Sequence, residues 1–95
     1  MKVTFYGVRG SIPTPGKDTA RYGGNTPCVV LQSASGQKLI IDAGTGLRLA
    51  SDEFVDYPDT IHLLLSHHHW DHIQGFPFFT PIFNAKTSIT IYPGN

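Results

Sequence analysis

The chain has a single cysteine, Cys28, so it can form no internal disulfide. A lone cysteine in an apolar run reads as a small core residue, and this usage fits a reducing, cytoplasmic setting. Charge of one sign is also missing: seven Lys and Arg balance seven Asp and Glu. Nothing in that balance suggests a broad basic surface for nucleic acid, while a nucleic-acid substrate read by a small local site stays open. No apolar run is long enough to cross a bilayer, so no membrane partner is expected. Met1–Gly7 has a basic residue but no apolar stretch of signal-peptide length behind it. With 95 residues there is room for one small domain, residues 1–95, and not for two.

Glycine and proline are plentiful and clustered. Val3 to Val8 reads as a strand, followed by a loop rich in Gly, Pro and Ser from Arg9 to Pro27. Loops of that length inside a compact domain tend to carry function or be disordered. Cys28–Leu31 and Lys38–Asp42 are expected to pair as a hairpin around the turn at Ser33–Gln37. Gly44-Thr45-Gly46 breaks the second of these strands, and Leu47, Ala50 and Phe54 fall on one helical stripe, predicting a short helix from about Gly46 to Phe54. Thr60–Ser66 and Thr87–Tyr92 complete a set of five strands. Leu39-Ile40-Ile41 and Leu63-Leu64-Leu65 are continuously apolar, so both faces of those strands should be covered. The helical material available is modest for covering two faces of a five-strand sheet, so the chain is expected to need more protein than it contains.

Histidine is the anomaly. Four of the five fall within His67-His68-His69-Trp70-Asp71-His72, just past the end of the fourth predicted strand. In an extended segment His67 and His69 point to the same side, where two neutral imidazoles can grip one metal ion. Asp71 and His72, beyond the next turn, supply an oxygen and a nitrogen for a neighbouring ion. Mixed imidazole and carboxylate ligation suits Zn2+, and Mn2+ or Fe2+ would also be accepted. An engineered tag would be uninterrupted and terminal, unlike this cluster; a fortuitous surface cluster is the bland alternative. His62, inside an apolar strand, reads as structural or solvated. For Asp42, capping the turn after its strand and supporting a site from beneath are equally good readings of its position.

Ser66-His67-His68-His69-Trp70-Asp71-His72 resembles the H-x-H-x-D-H signature of the metallo-β-lactamase-fold hydrolases. Ile40-Ile41-Asp42-Ala43-Gly44-Thr45-Gly46 looks like that superfamily's strand ending in Asp before a glycine turn. Arg21-Tyr22-Gly23-Gly24-Asn25-Thr26-Pro27-Cys28, with Gly10-Ser11-Ile12-Pro13, is similar to the branch containing ribonuclease Z-like enzymes and cyclic-phosphate phosphodiesterases. The resemblance implies an α/β fold, the N-terminal half of an αββα domain with a mixed β-sheet and flanking helices. It implies two divalent metal ions, the first on His67 and His69, the second on Asp71 and His72, with Asp71 also the candidate catalytic residue. Asp42 would orient the ligands by hydrogen bonding. A metal-bound hydroxide would attack a cyclic-nucleotide or RNA-type phosphodiester.

That superfamily completes its site with later ligands, yet Ile73–Asn95 contains no His, Asp, Glu or Cys. Three readings follow. The chain is a piece of a longer protein; or another chain, a copy of itself included, completes the site; or it is a metal-binding relic without turnover. The ending just after a strand favours the first. Two functions of different class therefore stand: a dinuclear metallohydrolase when complete, and a non-catalytic metal-binding half-domain. Among weaker signals, Gly44-Thr45-Gly46-Leu47-Arg48-Leu49 lacks the third glycine of a dinucleotide fingerprint and reads as a tight strand-to-helix turn. Arg9, Lys17 and Arg21 are candidates to attract a phosphate, though solvated loop charges are the commoner case. Phe76, Phe78, Phe79 and Phe83 read as packing around the site.

The purified chain is expected to retain zinc, and His67→Ala and His69→Ala to retain less. Metal analysis in which both variants match a zinc-free parent would remove the basis for the cluster's assignment.

Overall fold

A computed structural model of the chain describes residues 1–66 and 68–94. Five strands form one mixed sheet in sequence order: β1 (Lys2–Gly7), β2 (Cys28–Gln32), β3 (Lys38–Ile41), β4 (Ile61–Leu64) and β5 (Ile89–Tyr92). The first three pair antiparallel, β2 and β3 as the expected hairpin, while β3, β4 and β5 run parallel. The α/β class with flanking helices is as the sequence implied. The predicted helix is present but divided: α1 (Leu47–Ala50) continues as a 3-10 turn over Ser51–Phe54. Leu47, Ala50 and Phe54 are buried and Leu49 is exposed, as the stripe required. Further 3-10 turns at Trp70–His72, Phe76–Phe78 and Thr80–Phe83 fill the connection from β4 to β5, where Pro77 and Pro81 sit within the first turns of the last two.

The register places Val30, Ile40 and Leu63 in one row across β2, β3 and β4. These side chains, with Cys28 and Ile61, pack against Leu47, Ala50, Phe54 and Phe79 to form the core. Burial of a side chain the size of Phe79 contributes about 1.5–3 kcal/mol. The prediction for the four phenylalanines holds for Phe79, which is buried, and for Phe76, partly buried against the core; it fails for Phe78 and Phe83, which are 60% and 77% exposed. Cys28 is fully buried, and burial, then the nearby Asp42 and Glu53 carboxylates, push its thiol up to about 12. It is a protonated core group.

On the other face the shortage of helix shows. Two cross-strand rows run along it: Val3, Leu31, Leu39, His62 and Thr90; then Phe5, Val29, Ile41, Leu64 and Tyr92. Every helical segment that contributes to the core lies on the opposite side, so these rows are covered by nothing among the described residues. Leu39, Ile41 and Leu64 are half-buried by their neighbours, whereas Val3 and Phe5 are 49% and 66% exposed. The continuous apolar runs of β3 and β4 therefore mark a face that this chain does not cover itself. His62 lies on it, its Nδ1 2.9 Å from the Tyr92 hydroxyl.

The connection after β4 is pinned to the end of β3 at a point with no room for a side chain. The Gly75 amide donates to the Ala43 carbonyl at 2.8 Å, and a Cβ on Gly75 would overlap the Gly44 carbonyl oxygen. Gly75→Ala is expected to lower stability by about 1–3 kcal/mol, the usual cost of forcing a methyl into a filled space. Urea denaturation measures it; an unchanged midpoint would contradict this packing.

Candidate metal centre

The site is built where β3 and β4 end side by side. As parallel neighbours, they bring Asp42 and Ser66 to the same edge of the sheet. The Asp42 amide donates to the Leu64 carbonyl at 2.7 Å, and the residue then leaves the strand with φ 67°. This left-handed conformation costs most L-residues energy but is tolerated by Asp. It turns the chain into Ala43-Gly44, whose next contacts are with the histidine segment and the long loop. The Ala43 amide donates to the His72 carbonyl at 2.8 Å, and the Gly44 amide to the Pro27 carbonyl at 2.8 Å. Thr26 and Thr45 clasp each other, each hydroxyl accepting the other's amide at 2.8 and 2.7 Å. The glycine turn is thus the tight strand-to-helix connection read from the sequence.

Asp42 is buried and its carboxylate is fully used. One oxygen accepts the Ser66 amide at 2.8 Å. The other accepts the Ser66 hydroxyl at 2.7 Å and lies 3.0 Å from His72 Nδ1. Since a carboxylate only accepts, His72 carries a proton on Nδ1, and in the neutral ring Nε2 is left with its lone pair. Nε2 lies 3.4 Å from Asp71 Oδ2, which also accepts the Ser11 amide at 3.1 Å. Ser11, like Asp42, has a left-handed backbone, at φ 73°. Both residues that steer the Asp71–His72 pair therefore hold backbone conformations that are maintained only where the surroundings over-determine them.

Positive charge favours this approach of Nε2 to a carboxylate oxygen, whether a second ring proton or a cation supplies it. With Nε2 unprotonated, the donor set fits a divalent cation shared by Asp71 and His72: one oxygen, one neutral imidazole nitrogen, and the ring oriented through its other nitrogen. His69 has an extended backbone and begins the turn that presents the pair, its carbonyl accepting the His72 amide at 2.9 Å. His67 lies outside the described residues. Among the described residues no group of three or more His, Cys, Asp or Glu is arranged to hold a metal ion. The structure accordingly brings together Asp42, Asp71 and His72 of the sequence-predicted residues. Sequence reasoning missed the tasks of Ser66 and Ser11. Ser66 was signalled by standing next to the cluster at the strand end; nothing local marked Ser11, sixty positions from its partner.

Residues 21–90 match the family model described as the metallo-beta-lactamase superfamily. The chain is 34% identical over 77 residues to a ribonuclease Z of Haloferax volcanii, covering 81% of this chain and 22% of that protein. It is 39% identical over 76 residues to a ribonuclease Z of Methanopyrus kandleri, covering 79% of this chain and 24% of that protein. The chain thus spans less than a quarter of the length of these curated relatives. No solved structure matches.

Replacing Asp42 by Asn keeps the size and the backbone conformation but places an amide N–H opposite His72 Nδ1. The ring is then expected to move its proton to Nε2, removing the lone pair that faces Asp71. Zinc affinity should fall by about 10–100-fold, the usual cost of losing a ligand's supporting partner. Competition titration with a chelator measures the affinity, and nitrogen NMR of the imidazole reports the tautomer. Parent-like affinity with a shifted tautomer would disprove the supporting role.

Proposed function

This chain belongs to the metallo-beta-lactamase superfamily, and from that premise we propose that it carries the first half of a dinuclear site for hydrolysing RNA-type phosphodiesters. One observation bears most of the weight: the relay in which Ser66 holds Asp42, Asp42 fixes His72, and His72 Nε2 meets Asp71. In this reading His67 and His69 hold one cation, Asp71 and His72 the other, and zinc is the metal that the mixed donor set suits best. Bound cations supply Lewis acidity and activate water at neutral pH. The chain's own residues do the positioning. Asp42 keeps His72 in the tautomer that presents Nε2, and the Ser11 amide holds Asp71 Oδ2 against it. Asp71, the only carboxylate of the cluster, is in this reading also the catalytic candidate. That the matched relatives are ribonucleases Z supports RNA over a cyclic nucleotide as the substrate class.

A second reading is favoured by two features of the chain itself. Residues 73–95 offer no further ligand, and one apolar sheet face is covered by nothing among the described residues. Both are consistent with a metal-binding half-domain whose remaining ligands come from outside these 95 residues, supplied by further sequence or by a second chain. No helix among the described residues is long and apolar enough to cross a membrane.

The two readings converge on one outcome. The chain by itself is expected to bind zinc yet leave bis-(p-nitrophenyl) phosphate and single-stranded RNA uncleaved above the metal-only control. Chelator-sensitive turnover by a monomer of this chain would defeat the division of the site proposed here.

A further inference from the structure

The long loop that supplies Ser11 to the metal centre also forms a pocket of about 260 Å³, lined by Val8, Arg9, Asp18, Arg21, Tyr22 and neighbouring loop atoms. We infer that it takes one internucleotide phosphodiester of a single-stranded nucleic acid, with the adjoining base against Tyr22; this rests on the phosphodiesterase reading and deepens it. The loop that forms the pocket is built. The Arg9 amide donates to the Asn25 carbonyl at 2.9 Å, Thr14 to Gly24 at 2.7 Å, and Gly23 to Thr19 at 2.6 Å. Gly23 has φ 84°, a conformation suited to glycine, and it directly follows Tyr22 in the turn.

The chemistry of the lining selects the ligand. Among the described residues no carboxylate lies within 4 Å of the Arg9 or Arg21 guanidinium, so neither is neutralised by an ion pair. Two guanidinia against the one carboxylate of Asp18 leave a single positive charge, which matches the single negative charge of a phosphodiester better than the dianion of free phosphate. The volume is below that of an ordinary small-molecule site, about 300–1,000 Å³, and suits a phosphate with part of its sugar. The Arg21 guanidinium stacks 5.2 Å from the Tyr22 ring centroid. Stacking leaves its in-plane N–H groups available for two parallel bonds to phosphate oxygens. Tyr22 is 73% exposed, which leaves aromatic surface on which a base can stack. Arg9 is two residues from Ser11, whose amide holds Asp71, so their Cα atoms are at most about 7 Å apart. Pocket and metal centre thus draw on one stretch of the same loop.

The test uses the 95-residue chain and a 5′-fluorescein-labelled oligouridylate, followed by anisotropy in EDTA so that binding is separated from metal. Arg9→Ala with Arg21→Ala is expected to weaken binding at least tenfold and to make the slope of log K against log salt shallower by about 0.7, the value for one phosphate of a single strand. Tyr22→Leu should weaken binding about fivefold or more without changing that slope. Arg21→Lys keeps the charge but not the fork; it should fall between parent and double variant, with the parent's slope. The dinucleotide UpU should compete, and inorganic phosphate at the same concentration should not. Variants that bind as the parent does, or phosphate competing as well as UpU, would overturn the assignment. Zinc retention is measured on EDTA-free aliquots of the same proteins: oligonucleotide binding lost in the arginine variants with zinc retained supports the pocket, and a parent that retains zinc but does not bind the oligonucleotide sinks it while leaving the metal reading intact.

Discussion

A buried carboxylate with three hydrogen-bonding partners is the constraint around which this chain is arranged. Asp42 sits at the end of a parallel strand pair, away from water, and an ionised group there is sustained only if its lone pairs are used. Ser66 satisfies it twice, from amide and hydroxyl, and His72 a third time through Nδ1. Each partner is thereby placed: Ser66 marks where β4 ends, and His72 is fixed in ring orientation and tautomer. The left-handed backbone at Asp42 follows from the same requirement, because a residue continuing the strand would send its carboxylate to one face of the sheet and away from the sheet's edge.

The rest of the scaffold serves to bring distant segments to that edge. The Ala43–His72 and Gly75–Ala43 backbone bonds lash the histidine segment to the glycine turn. The Thr26–Thr45 clasp does the same for the long N-terminal loop. Three segments far apart in sequence meet at Asp71 and His72, and the chemistry there is that of groups oriented by their neighbours. The core that supports this is one-sided. Its opposite face, two apolar rows across all five strands, is consistent with the αββα layering of the superfamily, in which a second sheet lies against the first.

The strands and the short helix were legible because their signals are local. The stripe of Leu47, Ala50 and Phe54 specified which side of α1 is buried, and the Gly44–Gly46 turn was read correctly from its glycines. The histidine segment was read as metal chemistry because four imidazoles and a carboxylate so close together have few other uses. The continuous apolar runs of β3 and β4 implied two covered faces and, with so little helix, more protein than the chain contains. Hydrophobicity records that a face is destined for burial, not which polymer buries it. The aromatic run after the cluster misled in part: Phe79 reaches the core, while Phe83 does not, since 3-10 turns around Pro77 and Pro81 set each side chain's direction independently of a simple period.

Composition and pattern by themselves determined the order of the strands along the chain and the presence of a histidine-rich segment at a strand's end, while the resemblance carried by the motifs implied the class of the fold. They did so because propensity, periodicity and ligand spacing act over a few residues. What only the tertiary structure decided was the pairing of Asp42 with His72, the recruitment of Ser11 to Asp71, and the gathering of Arg9, Arg21 and Tyr22 around one pocket. Those contacts join positions up to sixty apart, and they exist because parallel strand pairing and a folded loop bring them within a hydrogen bond's reach, a distance no local pattern encodes.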